Sequence, residues 1–433
     1  MPTPCGRPPL PHLERNDPVA NSFGGGLKVK RGKRPTLDGE ILKSDIITLK
    51  TAASRPLALA AGDPVGRGGL VAAPFEGKAA LFSGISGTVK EIREESDGKA
   101  VVIARDPHVP DAAPLSPVEG KLADMSREAL SDLLLSRGVT PPDVGEYTIK
   151  HLVVDCAGDD PFNESREALF FAAPGEVVAG AKILMKLLSA RHAVFAVSRE
   201  RLAAADLLRD FIPEGSRMLK AAFLRRKFPQ SEPRLLVSAL FNLEIHPASS
   251  VEKIGYTVVS PMLCKAVFDA LAKGIPYTDA TLTLAEEPLS HRALRVLTVP
   301  FGTPLSEVLA CGDLTLRRRM HLTVGGGYRA QEADLDDPVT PDTEAVSLLF
   351  ARAKKRFGVC IGCGRCHRAC PMRLAPSLLY EAAPADRERA AKRLDIDACI
   401  GCGACTAVCP AGLPLAETVT AYRAVLTGGP DEA

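Results

Sequence analysis

The chain has no tryptophan, few aromatic residues and almost no excess of one charge: its formal net charge is +2 over 433 residues. Nothing in that balance points to nucleic acid. No apolar run is long enough to span a bilayer. The opening, "MPTPCGRPPLPHLERNDP", is rich in proline and has no apolar core of the kind a secretory signal carries. These absences predict a cytoplasmic protein that reaches a membrane only through a partner. A disulfide framework is also excluded, because it would not place thiols three residues apart twice over, and cytosolic disulfides are rare.

Cysteine is present, twelve times, and eight of the twelve fall in two short runs, "CIGCGRCHRACP" (360–371) and "CIGCGACTAVCP" (399–410). Cys5, Cys156, Cys264 and Cys311 stand alone. Each run reads C-x2-C-x2-C-x3-C-P, and the two are an internal repeat. This spacing lets one loop wrap three thiolates around a corner of an iron–sulfur cube, while the fourth cysteine ligates the other cube. The pattern therefore assigns Cys360, Cys363, Cys366 and Cys409 to one [4Fe–4S] cluster, and Cys399, Cys402, Cys405 and Cys370 to a second. The fourth cysteine of each run is expected to open a helix. Gly362, Gly364, Gly401 and Gly403 allow the tight turns between ligands. Zinc fits poorly, since it closes with four ligands, usually in two separated pairs. No cysteine of either set is missing, so neither cube offers an open iron. Both should relay single electrons, and no catalytic residue is named. His367, inside the first run, reads as a surface residue or a neighbour of the ligands. Around the runs, residues 351–425 carry twelve Lys or Arg against six Asp or Glu, among them Lys354, Lys355, Arg356, Arg365 and Arg368. Such a face suits an acidic carrier such as a ferredoxin or flavodoxin.

The length suggests roughly two to four domains. Residues 1–21 read as a loose lead-in. Residues 22–106 read as a small β-domain, with alternating strands at "DIITLK" (45–50), "GTVKEI" (87–92) and "AVVIA" (100–104). From 116 to 280 the pattern is helix, strand, helix, strand: "MSREALSDLLLSRG" (125–138), "HLVVDCAG" (151–158), "PGEVVAGAKILMKLLSAR" (174–191), "HAVFAVS" (192–198), "RERLAAADLLRDF" (199–211), "GYTVVS" (255–260) and "PMLCKAVFDALAKG" (261–274). That alternation predicts a parallel α/β layer. Residues 281–334 turn strand-rich again, and 345–427 hold the cysteine runs between helices.

Six ordered stretches resemble the RnfC family, the peripheral subunit of the Rnf ion-translocating electron-transport complex. They are "FGGGLKVKRGK" (23–33), "SGISGTVKEI" (83–92), "KFPQSEPRLLVSAL" (227–240), "AVFDALAKGIPYTDATLTL" (266–284), "RVLTVPFGTPLSEVLACG" (295–312) and "GVCIGCGRCHRACPMRLAPSLLYEA" (358–382). The resemblance implies a multidomain α/β and α+β chain. Its parts would be an N-terminal barrel-sandwich β-domain, a Rossmann-like domain resembling the complex I flavoprotein subunit, a β-grasp module and a two-cluster ferredoxin domain. It implies integral membrane partners of the Rnf type, a soluble ferredoxin or flavodoxin-like donor, and a place on the inner face of the cell membrane. The function it implies is electron transfer within such a complex, coupled to ion transport. The alternative is a soluble RnfC-like adaptor that feeds a cytoplasmic reductase without ion pumping. The family also binds FMN and NADH in its α/β domain, and here the sequence departs from the pattern. "RGVTPPDVGEY" (137–147) keeps only Gly138 of the glycine loop. "DCAGDDP" (155–161) puts Asp155 where the family has Asn and Gly158 where it has Glu, with Asp160 as a shorter acid. "SPMLC" (260–264) lacks the Asn and Thr of the third segment. FMN and NADH binding are therefore doubtful, and no residue is named for them. Cys156 and Cys264 read as buried small hydrophobes. "GRGGLVAAPF" (66–75) and "GGGYR" (325–329) read as turns.

Overall fold

The structure is a computed structural model. It describes residues 23–427 apart from 30–35, 97, 119–121, 123, 200–206, 214–215, 247–248, 288–293, 328–329, 351–357 and 384–386. The lead-in, Cys5, Lys354, Lys355, Arg356 and most of the helix expected at 199–211 lie outside the described residues.

Strands His151–Asp155, His192–Ser198, Leu219–Leu224 and Tyr256–Val259 form a four-stranded sheet in which every pairing is parallel. The spatial order is third, second, first, fourth in chain sequence. Both faces are covered, which is why the strands read as continuous apolar runs. One face packs Leu152, Val154 and Phe195 against helices Arg127–Ser136, Pro174–Leu188 and Pro261–Phe268. The other packs Val153, Val194 and Ala196 against Leu236 and Leu240 of helix Pro233–Phe241. Helix starts follow the local sequence: Ser126 Oγ accepts from the Ala129 N–H, and Ser260 Oγ from the Leu263 N–H just before Pro261. Helices Pro174–Leu188 and Pro261–Phe268 cross so closely that a Cβ on Gly180 would lie 1.7 Å from the Cys264 carbonyl oxygen. No single helix among the described residues is long and apolar enough to cross a membrane.

The stretch from 22 to 106 divides among three sheets. Ile46–Thr51, Gly98–Arg105, Gly87–Glu95 and Pro64–Val65 make an antiparallel sheet. Leu37–Ile41 instead adds as a parallel edge to Leu294–Pro300. Leu27–Lys28 pairs antiparallel with Lys227–Phe228, far from either. The second large sheet runs Gln331–Glu332, Met320–Val324, Ala345–Phe350, Asp279–Glu286, Leu294–Pro300, Leu37–Ile41. It therefore takes in residues on both sides of the 281–334 window, including the first residues of the segment expected to open the ferredoxin domain. Ile47, Leu49, Val101 and Ile103 share one core with Leu282, Val299, Val346 and Leu348. The two β-rich units bury their apolar faces against each other.

The C-terminal part is helical: Arg365–Ala369, Pro376–Ala382, Glu388–Arg393, Ala404–Ala407 and Leu415–Thr427. Its small core holds Leu374, Leu379, Ile396, Val419 and Tyr422.

Candidate functional site

The two cysteine runs fold back on one another, and two hollows open between them. Cys360, Cys363, Cys366 and Cys409 border the first, with Ile361, Leu413 and Leu415. Cys370, Cys399, Cys402 and Cys405 border the second, with Leu374, Leu379 and Val419. Each hollow thus takes three cysteines from its own loop and one from the other. Gly362, Gly364, Gly401 and Gly403 all have positive φ, between 62° and 77°, and turn the loops so that successive cysteines face inward. The fourth cysteine does not open a helix as its spacing suggested. Cys370 closes the helix Arg365–Ala369 as its C-cap, and Cys409 follows the short helix Ala404–Ala407. Proline after each cysteine ends the turn, and the next helices begin only at Pro376 and Leu415.

Burial pushes the Cys405 thiol up to about 12, and Cys402 and Cys399 press it further, with Cys370 contributing. Burial also raises Cys370, although the Leu374 N–H donates to its sulfur at 3.4 Å. Four thiols this close in an apolar hollow cannot all ionise without a cation among them. Bound iron supplies it and deprotonates its ligands outright. Among the described residues, no three His, Cys, Asp or Glu side chains converge closely enough to hold a single metal ion. The cysteines form wider rings, which suit a cube in which each thiolate binds a different iron. These residues fit [4Fe–4S] clusters. His367 is exposed and shares a hydrogen bond of 2.7 Å with Ser377 Oγ.

A separate cavity of about 900 Å³ opens at the carboxyl ends of the parallel strands. It lies where the strand order reverses, between His151–Asp155 and Tyr256–Val259, which is the usual ligand position in such sheets. The three divergent segments all reach it: Gly138 and Thr140 from the first, Asp159 and Asp160 from the second, Met262 and Leu263 from the third. Its polar groups are bound to each other. Arg166 donates to Asp155 at 2.6 Å and makes a two-pronged contact with Glu344 at 2.8 Å. Burial opposes that charge, but Glu344 and then Asp155 outweigh it and raise the guanidinium above its ordinary value. Arg226 pairs with Glu164 and donates to the Asp160 carbonyl at 2.8 Å. Asp160 accepts from the Phe162 and Gly327 N–H groups, and Asp159 from the Ser231 N–H.

This wall does not fit a flavin phosphate. Asp159, Asp160, Asp342 and Glu344 line the cavity, and Arg166, the one cation on its wall among the described residues, already serves two carboxylates. The nearby helix starts are also occupied, by Ser260 on Leu263 N–H and by Asn163 on Ser165 N–H. The two lone cysteines behind the cavity, Cys156 and Cys264, are fully buried. Burial is the main cause that raises both thiols. They pack as small apolar groups.

Arg166 and Glu344 carry no sequence signal. Arg166 sits in an ordinary helical stretch, and Glu344 is 178 residues away from it. Only three-dimensional pairing gives either a role.

An α/β layer with its cavity at the switch point, joined to a helical unit with two four-cysteine rings, defines an iron–sulfur electron-transfer chain built on a flavoprotein-type domain. Residues 353–412 match the family of 4Fe-4S dicluster domains, and residues 140–267 the Nuo51 FMN-binding domain. Relatives of the whole arrangement come from ion-translocating complexes. The chain is 24% identical, over 58% of its length and 54% of the relative's, to a subunit of the proton-translocating ferredoxin:NAD(+) oxidoreductase complex of Clostridium ljungdahlii. It is 25% identical to a subunit of the ion-translocating oxidoreductase complex of Edwardsiella ictaluri, over 67% of this chain and 36% of that one. It is 22% identical to a subunit of the Na(+)-translocating ferredoxin:NAD(+) oxidoreductase complex of Acetobacterium woodii, over 60% and 62%. It spans about half the length of the first of these relatives. Among solved structures, an NAD+-reducing [NiFe]-hydrogenase chain in the H2-reduced state aligns with a TM-score of 0.45 and 14% identity, over 73% of this chain and 66% of that one. These relatives are the RnfC members of their complexes. The chain belongs to the RnfC family, and it carries two [4Fe–4S] clusters.

Proposed function

We propose that this chain is the electron-transfer subunit of an Rnf-type membrane complex. It relays electrons through its two clusters between a soluble donor and membrane redox subunits, and the complex couples that flow to ion transport. The observation that carries this reading is the pair of interleaved four-cysteine hollows. Cys360, Cys363, Cys366 and Cys409 are the ligands of one cluster, and Cys370, Cys399, Cys402 and Cys405 of the other. The names of the relatives support the coupling to ion movement. The antiparallel unit is read as a barrel-sandwich and the second sheet with helix Leu305–Cys311 as a β-grasp variant; both are the surfaces for docking to integral subunits on the inner face of the membrane.

Of the two candidate donors, NADH and ferredoxin, the acidic and self-paired cavity favours the second. The first hollow reaches the surface: Val359 is 75% exposed, Ile361 64% and Leu378 47%, and Cys363, Arg365 and Arg368 are exposed beside them. Between Gly358 and Tyr380 the chain has three arginines and no Asp or Glu. An apolar tip with a basic rim suits an acidic carrier such as ferredoxin or flavodoxin. The same cavity also favours the second reading, a soluble adaptor that feeds a cytoplasmic reductase, since a pure relay serves any acceptor. Anaerobic purification of a tagged chain from gently solubilised membranes separates the two. Recovery with multi-span flavoprotein subunits supports the first reading. Recovery with a soluble reductase and no integral subunit replaces it with the second.

A further inference from the structure

The segment Phe23–Val29 runs through the seam between the α/β layer and the cysteine-bearing helices and is bonded to both. On one side Leu27–Lys28 pairs with Lys227–Phe228, and Lys227 Nζ donates to the Phe23 carbonyl at 2.6 Å while lying 4.4 Å from the centre of its ring. On the other side the Gly26 N–H donates to the Ala369 carbonyl at 2.8 Å. The fit leaves no room for side chains. A Cβ on Gly25 would lie 2.2 Å from the Cys370 carbonyl oxygen, and one on Gly26 2.6 Å from that of Phe228. Both glycines have positive φ, 68° and 73°, so they are required by backbone shape as well as by space. Leu27 and Val29 pack on Phe228, Cys402, Ala404 and Ile400. Phe228 is buried and also borders the switch-point cavity.

The segment therefore touches two of the four cysteines of the second hollow, Cys370 and Cys402, through backbone fit and apolar packing. The first hollow has no such cover among the described residues, and its rim is exposed. We propose that Phe23–Val29 is a strap that positions and shields the cluster held by Cys370, Cys399, Cys402 and Cys405, with Gly25 as its positioning residue. The two clusters then differ in solvent access although their loops repeat one another. The strap also fixes the shielded cluster against Phe228, so the α/β layer and the cluster unit stand in one fixed relation.

This inference rests on the ligand assignment above but not on the donor or the membrane partner. The test uses the full chain with both clusters reconstituted, exposed to a ferrous-iron chelator under argon. In the parent protein, iron should leave in two phases of equal size, the slow phase belonging to the shielded cluster. Cys402→Ser should abolish the slow phase, which identifies it. Gly25→Val should accelerate that phase by about tenfold or more, as expected when a neighbour of metal ligands is lost, and leave the fast phase unchanged. Lys227→Met removes the strap's anchor without adding bulk. It should accelerate the same phase, and it decides the matter if Gly25→Val fails to fold. Equal rates for both clusters in the parent, or unchanged or uniformly faster release in Lys227→Met, would overturn the strap. Failure of the relay reading would leave these rates as they are.

Discussion

Asp155 shows how one residue can change what a site holds. It sits at the carboxyl end of a buried strand, 1% exposed, and its charge is tolerable only because Arg166 reaches it. Breaking a buried pair from one side leaves an unpaired charge, which typically costs about 3–5 kcal/mol. Arg166→Met should therefore lower the unfolding free energy by roughly 3 kcal/mol in urea titration, the low end because the Arg166 side chain keeps 23% exposure. An unchanged midpoint would show that the pair is not holding the cavity wall. His151 gives a prediction of another kind. It stacks between His192 and Tyr256, at 5.1 and 4.8 Å. Burial, with His192 and Lys150, lowers its pKa from 6.5 to about 4. The folded protein thus holds it neutral where the unfolded chain would take up a proton. Stability is fully present above about pH 6.5 and is lost as pH falls towards 4. His151→Phe should flatten that part of the pH profile, read as urea midpoints at about pH 7 and about pH 5; equal losses in both proteins would assign the acid sensitivity elsewhere.

At the scale of elements, the cysteine loops cross-connect. The spacing alone carried that information, because a loop with three ligands and a fourth after three further residues cannot close on itself. What the spacing could not give was the direction of the chain at Cys370, which ends a helix and starts none, because the following helix is set by Pro376 and the packing of Leu379. Cross-connection has a direct consequence. Cys409→Ser lies in the second loop, yet it should disturb the cluster of the first, whereas Cys370→Ser should disturb the second. Magnetic resonance of the dithionite-reduced variants, one against the other, would distinguish the two signals. Loss of the same signal in both variants would refute the crossed assignment. The α/β layer was equally legible, since buried strands alternating with capped helices leave few arrangements. Leu37–Ile41 and Leu27–Lys28 were not. Both are short edge additions with partners far along the chain, at Leu294–Pro300 and Lys227–Phe228, and no local period marks such a pairing. The glycines at 24–26 stand out in the sequence, but only the fold shows which carbonyl oxygens they avoid.

For the whole molecule, the account is of a relay with an exposed entry and a shielded interior. Arg365→Glu with Arg368→Glu should weaken association with an acidic ferredoxin used as probe. It should also flatten the salt dependence of that association, because the steering field acts mainly on encounter. A double variant with unaltered affinity and salt slope would move the entry point away from the first cluster. The central claim is that this chain moves electrons through iron and sulfur alone, its flavin cavity having been closed by Arg166, Asp155 and Glu344. The most direct measurement is an assay of iron, acid-labile sulfide and acid-released flavin on one anaerobically purified and reconstituted sample. The account predicts about eight irons and eight sulfides per chain, as two [4Fe–4S] clusters require, and no flavin. The same metal content with one FMN per chain would contradict it and return NADH oxidation to this protein.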